Sequence, residues 1–408
     1  MSELKPVLCS QHLQQAEYEL RGRLATEANR LIQAGHDIRT LHLGNPGLFG
    51  LHAPAPIVQA VADNLVKSQA YCHSYGLPEA REAILSQWNE KVGVATDRDS
   101  IFIGNGVSEL IHIALGALIN PGDEVLVPQP NYPLWTAVLN LQGGKAASYQ
   151  CDEANEWQPD IAHMASMITE KTKAIVVINP NNPTGAVYSK EVLEQIVALA
   201  KQHQLILFAD EIYSDIVYPP DTFNHLASIS GDDVFTISFT GLSKNYTLAG
   251  YRCAWMVLSG EREHARDYIA GIKKLMTMRL CANVPSQYAI KEALSKPEYT
   301  LLNHYPDLLA RRDQLMQALN AIDGLSCVTP KGAFYAFPRW DSEVAIWDHD
   351  EQWALQLLQQ YHVLISPGST FDQPDPYHFR LVFLPAWEEL ADTCVKLQQL
   401  KEQGFGLR

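Results

Sequence analysis

The sequence lacks the long apolar runs, paired cysteines and basic excess that mark three large classes of protein. Its longest apolar stretches, residues 174–178 and 205–209, are strand-sized and far too short to span a bilayer, and its first ten residues contain no apolar signal core. The seven cysteines are scattered and never spaced C-x-x-C, which disfavours a disulfide framework or a zinc ribbon and fits a reducing cytosol. Lysine and arginine number 31 against 46 acidic residues, a balance of −15 that disfavours nucleic acid as a partner. We therefore expect a cytoplasmic protein with neither a membrane nor a nucleic-acid partner.

The middle of the chain alternates short β-rich runs with helical patterns. Hydrophobic residues make up 47% of the chain, enough for large cores. Six runs are typical of buried strands: residues 101–104, 124–127, 174–178, 205–209, 235–239 and 254–258. Between two of them, residues 190–203 place apolar side chains on one helical face, with Ser189 available as N-cap. Strands separated by helices predict a largely parallel sheet covered on both faces.

The two ends of the chain have a different pattern. Residues 17–34 and 301–320 are predicted helices, and the tail continues with a strand at 333–337, a helix at 351–361, a strand at 378–383 and a helix from Trp387. Neither end alone would bury a core. We therefore predict a large domain at residues 52–300 and a small α+β domain built from residues 1–51 and 301–408.

A glycine-rich turn, Gly104-Asn105-Gly106-Val107-Ser108, stands between a predicted strand and a long apolar helix. Glycines permit close backbone approach, and the exposed amides of a first helical turn bind anions, with the Ser108 hydroxyl as a further donor. A dinucleotide-binding motif would have a third glycine at position 109, where this sequence has Glu109, so a dinucleotide site is disfavoured. The alternative is an ordinary strand-to-helix turn.

The segment Asn179-Pro180-Asn181-Asn182-Pro183-Thr184-Gly185 directly follows another predicted strand. Strand ends in an open α/β sheet are where ligands bind. Its two X-Pro bonds stiffen the loop, and either can be cis, which would fix the direction of Asn182. The alternative is a rigid turn in which asparagine serves only the turn dihedrals.

Two ionisable residues stand beside buried strands. Asp210, after residues 205–209, would need a cationic or hydrogen-bonding partner to stay ionised, although a helix cap is the alternative. Lys244, in Ser243-Lys244-Asn245-Tyr246, lies between two apolar runs. Burial there would lower its pKa and free the amine for Schiff-base chemistry, the alternative being a lysine that extends to solvent.

Taken in order, these features resemble the fold-type-I pyridoxal-phosphate enzymes, in particular the class-I aminotransferases, over nearly the whole chain. Further matching segments are Tyr71, Gly76-x-Pro78-Glu79, Gly332-Ala333-Phe334-Tyr335 and Phe379-Arg380. The resemblance implies an α/β fold, with a large domain around a mostly parallel seven-stranded sheet, a small α+β domain, and pyridoxal 5′-phosphate as cofactor. The chain departs from the family pattern at Gly241, where many relatives have a phosphate-binding serine, and at Thr247 and Cys253.

By this resemblance, Lys244 binds the cofactor covalently and then moves a proton between the substrate Cα and the cofactor. Asp210 pairs with the pyridine nitrogen, and Tyr213 and Asn182 hydrogen-bond the phenolic oxygen. Tyr132 stacks on the ring, its alternative being a core tyrosine. The residues implied at the cofactor phosphate are Gly106, Val107, Ser108, Ser243, Arg252 and, from the neighbouring subunit, Tyr71. Because Tyr71 would serve its neighbour, the resemblance also implies a homodimer with shared active sites.

Substrate binding is implied in the same way. Arg380 matches the arginine that holds the substrate α-carboxylate, with Asn182 and the backbone of Gly44 beside it. Segments 18–22, 103–110 and 278–283 are similar to bacterial alanine (glutamate–pyruvate) aminotransferases. These enzymes exchange an amino group between L-alanine/pyruvate and L-glutamate/2-oxoglutarate. Arg21, with Tyr18 beside it, is the candidate for the distal carboxylate of glutamate, and a surface arginine is the alternative.

Three other functions remain open at the level of the sequence. An aminotransferase of another amino-acid specificity would differ only in its pocket, and a Cβ–S lyase would use the same Lys244 and Asp210. A regulator of this fold would need a DNA-binding domain, for which the segment before the predicted large domain is too short. The acidic run Asp348-His349-Asp350-Glu351 is expected to be solvated surface at a helix start, so no metal site is predicted.

Overall fold

The structure, a computed structural model, describes residues 7–15, 22–344 and 347–406. Within these residues the strands are β1 (Arg39–Thr40), β2 (Ile101–Gly104), β3 (Glu124–Gln129), β4 (Lys145–Asp152), β5 (Gln158–Pro159), β6 (Thr172–Ile178), β7 (Ile206–Asp210), β8 (Thr236–Gly241), β9 (Ala254–Ser259), β10 (Leu325–Ser326), β11 (Tyr335–Ala336), β12 (Arg339–Trp340), β13 (Val363–Leu364), β14 (Ser366–Pro367) and β15 (Phe379–Val382). The helices are α1 (Gln11–Gln15), α2 (Arg23–Gln33), α3 (Ala55–Asn64), α4 (Pro78–Lys91), α5 (Val107–Leu118), α6 (Leu134–Leu141), α7 (Ile161–Met167), α8 (Lys190–His203), α9 (Leu226–Ser230), α10 (Leu242–Asn245), α11 (Arg266–Met278), α12 (Val284–Ala293), α13 (Leu301–His304), α14 (Leu308–Asn320), α15 (Asp350–Tyr361) and α16 (Trp387–Glu402).

The central sheet has eight strands in the order β2-β9-β8-β7-β6-β3-β4-β5. The five strands from β8 to β4 in this order are parallel to one another. Strand β9 is antiparallel to both β2 and β8, and β5 is antiparallel to β4. All six predicted strands are present, which confirms the mostly parallel α/β sheet. Seven strands were expected, and the eight that are observed include the two-residue edge strand β5.

Strand β4 was not among the six predicted runs. Its residues, KAASYQCD, are exposed or partly buried except for Tyr149 and Cys151, and they contain no continuous apolar run. Helix α8 has the predicted bounds, and the Ser189 hydroxyl accepts a hydrogen bond from the Val192 amide at 3.2 Å. The helix ends at Gln204 in the left-handed conformation, φ 54°.

The terminal segments pack together around one apolar core. Leu41 contributes from the N-terminal side, and Trp340, Trp353 and Phe379 contribute from the C-terminal side. Strand β1 also pairs in parallel with β13. The predicted helix at 301–320 is interrupted between α13 and α14, because Pro306 keeps the preceding Tyr305 out of the helical region, with φ −130° and ψ 71°. The predicted helix at 17–34 lies partly outside the described residues, and its described part contains α2.

The carboxyl ends of the parallel strands bring the predicted motifs to one edge of the sheet. Asn179 follows β6, Asp210 ends β7, and β8 leads directly into α10 with Lys244. Strand β2 runs in the same direction as β8, so the start of α5 lies at this edge too. This edge is where an open α/β sheet binds its ligand. Within the described residues, no helix is both long and apolar enough to cross a membrane.

Candidate active site

Lys244 is held against the backbone of the N-terminal segment. Its Nζ donates a hydrogen bond to the carbonyl oxygen of Gly44 at 2.5 Å and lies 5.9 Å from the centroid of the Phe334 ring. Burial, followed by the positive charges of Arg380 and Arg252, lowers the pKa of Lys244 to about 8. A substantial fraction of this amine is therefore neutral near physiological pH, as a nucleophile or base requires.

Asp210 is buried at the end of β7 with half of its carboxylate unused. Its Oδ2 accepts a hydrogen bond from Trp135 Nε1 at 3.0 Å, and its Oδ1 has no hydrogen-bond partner among the described residues. Burial raises the pKa of Asp210 to about 6. A ligand that presents a protonated nitrogen to Oδ1 would satisfy this oxygen and favour the ionised carboxylate.

The start of α5 forms a cradle with Arg252. Gly106 has φ 91°, a conformation that favours glycine, and a Cβ there would displace the Arg252 guanidinium. The guanidinium donates to the carbonyl oxygens of Ala249 at 3.0 Å and Asn105 at 3.4 Å. Together with the free amides at the helix N-terminus, it makes a site suited to a phosphate group.

Arg380 is buried in β15 with donors still available. One Nη donates to Asn182 Oδ1 at 2.8 Å, the other donates to the carbonyl oxygen of His42, and Nε has no partner among the described residues. The guanidinium carbon lies 4.4 Å from the ring centroids of both Tyr335 and Phe371. Burial lowers the pKa of Arg380 from its usual value, yet an arginine remains charged, so this group is suited to bind a carboxylate.

Tyr335 joins the separate parts of the site. Its hydroxyl lies 2.7 Å from the Tyr213 hydroxyl, its ring supports Arg380, and a Cβ at Gly44 would clash with its hydroxyl. Tyr335 thus connects the backbone that holds Lys244 with the Arg380 guanidinium. The structure therefore brings these predicted residues into one pocket at the strand ends.

The remaining predicted residues have the following positions. Tyr132 is partly buried, and its phenol is close enough to Arg380 to affect the pKa of that residue. Ser243 is buried, whereas Tyr71 is 80% exposed. The peptide bonds Asn179–Pro180 and Asn182–Pro183 are both cis. Tyr18 and Arg21 lie outside the described residues.

Three residues of the site were not predicted. Tyr335 belonged to a recognised motif without an assigned role, and Trp135 stands three residues after Tyr132. Phe371 carried no signal, because tertiary packing alone brings it to Arg380.

The acidic run at the start of α15 was expected to be solvated surface, which holds for Asp348 and His349 but is wrong for Asp350. Asp350 is 3% exposed rather than solvated, and its carboxylate accepts hydrogen bonds from the amide and hydroxyl of Ser369, both at 2.8 Å. No group of side chains suited to a metal occurs among the described residues.

The fold and this pocket define an enzyme of the fold-type-I pyridoxal-phosphate class. The protein-family model "Aminotransferase class I and II" matches residues 44–394, and the chain belongs to this family. It therefore transfers amino groups and depends on pyridoxal phosphate. The unused Asp210 Oδ1, the cradle at Gly106 and the Lys244 amine fit this cofactor at its ring nitrogen, phosphate and carbonyl carbon, respectively.

Three relatives show which aminotransferases this chain is similar to. The chain is 48% identical to an alanine aminotransferase of Mycobacterium tuberculosis over 391 residues, which cover 95% of this chain and 91% of the relative. It is 45% identical to the glutamate–pyruvate aminotransferase of Escherichia coli, with 95% and 96% covered. Among solved structures, the alanine aminotransferase of Pyrococcus furiosus has a TM-score of 0.92 at 35% identity, covering 97% of this chain and all of that one.

Proposed function

We propose that this enzyme transfers the amino group between L-alanine and 2-oxoglutarate, giving pyruvate and L-glutamate, and catalyses the reverse reaction. The observation that carries the proposal is the identity of 45–48% over 95% of the chain to alanine and glutamate–pyruvate aminotransferases. The buried Arg380 supplies the α-carboxylate site that both amino acids require.

When bound, pyridoxal phosphate supplies a carbonyl carbon that accepts the amino group and a ring that withdraws electrons from the substrate Cα. With the cofactor bound, the Lys244 amine would be the base that takes the proton from the substrate Cα and the acid that returns it to the cofactor. Its pKa of about 8 supports the role, because a base works best when its pKa lies near the working pH.

Four residues orient the cofactor in this proposal. The Asp210 carboxylate holds a proton on the pyridine nitrogen through Oδ1, while Trp135 fixes its other oxygen. Tyr213 and Asn182 hydrogen-bond the phenolic oxygen, and Tyr132 stacks on the ring. The phosphate is bound by Gly106, Val107, Ser108, Ser243 and Arg252.

The substrate is bound by its carboxylates. Arg380 makes a two-pronged contact with the α-carboxylate, aided by Asn182 and the Gly44 amide. The proposed contacts of Arg21 and Tyr18 with the distal carboxylate of glutamate rest on the sequence alone.

We further propose a cytoplasmic homodimer in which Tyr71 reaches the phosphate of the neighbouring subunit. The 80% exposure of Tyr71 supports this, as does the exposure of Leu65 and Val66 nearby in the chain. Seven free cysteines fit a reducing compartment. The domain division at residues 52 and 300 is part of the same proposal, supported by the shared core of the two ends.

The proposal is tested by mixing each amino acid with the purified holoenzyme and following conversion of the cofactor to its amino form in a single turnover. Alanine and glutamate should react fastest. A faster reaction with a branched or aromatic amino acid would overturn the proposed specificity. Release of pyruvate and ammonia from a cysteine derivative without an oxo-acid acceptor would instead indicate a lyase.

Two arginine variants separate the two carboxylate sites. Arg380→Ala should depress the alanine and glutamate half-reactions together, since loss of one partner of a buried charge pair costs roughly 2–5 kcal/mol. Arg21→Ala should slow glutamate selectively and leave alanine nearly unchanged. Equal effects of Arg21→Ala on both substrates would assign Arg21 to structure or closure.

A further inference from the structure

A buried histidine that the proposed mechanism does not use lies two residues before Arg380. His378 is 1% exposed and directly precedes β15, so its side chain lies on the same face of the extended chain as that of Arg380. Its Nδ1 hydrogen-bonds Asp375 Oδ1 at 2.9 Å, whereas its Nε2 lies 3.3 Å from Glu153 Oε2, an ion-pair distance without a hydrogen bond among the described residues. The imidazole is therefore held between two carboxylates.

These two carboxylates come from different parts of the fold. Glu153 directly follows β4 of the central sheet, and Asp375 lies in the loop that leads to β15. Glu153 also pairs with Arg339, whose Nη1 lies 3.6 Å from Glu153 Oε2. The amide of Gln373 lies 3.3 Å from Nδ1 of His378. His378 thus links the central sheet to the segment that carries Arg380.

Aromatic rings connect this imidazole to the arginine. Phe337 stacks on His378 with a centroid distance of 5.0 Å and an interplanar angle of 17°. Phe337 also meets Phe371 edge-to-face at 6.2 Å, and the Phe371 centroid is 4.4 Å from the Arg380 guanidinium carbon. A shift of the imidazole therefore moves the rings on which Arg380 lies.

The link depends on the protonation of His378. Only the imidazolium has an N–H on both nitrogens, whereas a neutral ring presents a lone pair to one of the carboxylates. Burial by itself lowers the pKa of His378, but the hydrogen bond to Asp375 and the negative charges of Asp375 and Glu153 outweigh it and raise the pKa above its usual value. A raised folded-state pKa means that the link is complete at acidic pH and is lost as the pH rises through that pKa.

We propose that His378, as an imidazolium held between two carboxylates, is a positioning residue for Arg380. The inference rests on the proposed role of Arg380 as ligand of the α-carboxylate. Deprotonation of His378 releases one carboxylate contact and loosens the ring support, so affinity for substrate carboxylates falls at alkaline pH. The proton transfer at Lys244 does not involve this support, so the effect is on KM rather than on kcat.

The titration of His378 is measured directly by NMR of the holoenzyme labelled with 15N-histidine, and the His378→Gln spectrum assigns the signal. The pKa should lie above 6.5, the usual value, and should fall in Glu153→Gln, which removes one negative charge. A pKa below 6.5 in the wild type, or no change in Glu153→Gln, would contradict the proposal.

The effect on binding is measured as KM against pH for pyruvate and 2-oxoglutarate, because oxo acids carry no titrating amino group. Wild-type KM should rise above the pKa of His378. His378→Gln should raise KM at neutral pH by about 2- to 30-fold, the range expected of a residue acting through a packed network, and should abolish the pH-dependent rise. Its kcat should stay within about twofold of wild type, since His378 touches no reacting group.

Two controls complete the test. His225→Gln removes another histidine–carboxylate pair, that of the partly buried His225 with Glu211 at 2.8 Å, and should keep the rise in KM. Arg380→Lys should raise KM for both oxo acids at every pH, and no increase would mean that the proposed role of Arg380 is wrong. Suppose that Arg380→Lys raises KM but His378→Gln leaves the pH dependence of KM unchanged, even with lowered thermal stability. His378 would then have a merely structural role. This result would overturn the inference about His378 without touching the proposed role of Arg380.

Discussion

Burial shifts the pKa values of Lys244 and Asp210 in opposite directions. In each residue it disfavours the charged form, so the pKa of the lysine falls to about 8 and that of the aspartate rises to about 6. Both shifts suit the roles proposed for these residues: the lysine as a neutral amine, and the aspartate as an acceptor that gains a partner when the cofactor binds.

The titration of Lys244 predicts the pH dependence of cofactor uptake. The neutral amine accumulates as the pH rises through about 8, so covalent attachment of pyridoxal phosphate to the cofactor-free enzyme should accelerate up to that pH and then level off. Absorbance of the bound cofactor, measured against pH, follows the reaction. Arg380→Gln should move the midpoint upward, because it removes a positive charge that lowers the pKa of Lys244. A borohydride-stable link to the protein in Lys244→Ala would show that another lysine carries the cofactor.

Removing the buried carboxylate of Asp210 is predicted to raise the stability of the cofactor-free protein and to lower its activity. Its folded-state pKa of about 6 lies above the unfolded value, so its contribution to stability is present below about pH 4 and lost as the pH rises through 6. At pH 8, cofactor-free Asp210→Asn should therefore be more stable than wild type, by on the order of 2–3 kcal/mol. Its transamination rate should fall by about 10²- to 10³-fold, since an oriented charge is lost.

Denaturant unfolding of the two cofactor-free proteins at pH 5 and pH 8 measures this difference. Asp37→Asn, at an exposed position, is the control and should change neither stability nor rate. Equal stability of wild type and Asp210→Asn at pH 8 would mean that the buried carboxylate carries no uncompensated charge.

At the scale of the element, the N-terminus of α5 depends on one glycine. Gly106→Ala places a methyl group in a left-handed backbone, φ 91°, and against the Arg252 guanidinium. Gly122→Ala is a matched control, because its φ of 89° is similar but no described atom lies within 4 Å of the added Cβ. Both variants should lose stability, by roughly 1–3 kcal/mol.

The two glycine variants should differ in cofactor affinity. Gly106→Ala displaces the arginine from the phosphate cradle and should weaken pyridoxal-phosphate binding by at least about tenfold. Gly122→Ala should leave the affinity unchanged, as measured by equilibrium titration of the cofactor-free protein. Equal affinities of the two variants would show that the cradle does not bind the phosphate.

At the scale of the whole molecule, the proposed shared site predicts complementation between inactive variants. Lys244→Ala and Tyr71→Ala damage residues that, in a dimer, serve the same site from opposite subunits. An equimolar mixture that exchanges subunits should place half of the chains in hybrids, each with one intact site, and so recover about a quarter of wild-type activity.

Sedimentation and activity of the mixed variants, before and after subunit exchange, test this prediction. Lys244→Ala mixed with Asp210→Ala should recover nothing, because both residues belong to the site of one chain. A fully active monomer at working concentration, or no recovery in the first mixture, would contradict the shared site.

The sequence by itself determined the elements and the order of the chemical motifs. Apolar runs bounded by turn residues predicted six strands of the sheet, because a buried strand must be apolar on both faces, and apolar residues on one helical face predicted α8. The half-exposed β4 lacks such a run, and its place in the sheet depends on pairing with β3. Asp210 and Lys244 were identified for a similar reason, since a charged residue beside a buried strand costs free energy unless it has a partner.

Only the tertiary structure decided which side chains meet. Arg380 and Asn182 are 198 residues apart and are joined by a 2.8 Å hydrogen bond, and neither local pattern indicates the other. The rings of Tyr335 and Phe371 reach Arg380 because β15 pairs with β11 and β14. Such contacts follow from the packing of whole elements, and a sequence pattern records only the burial of each residue, not the identity of the neighbour that buries it.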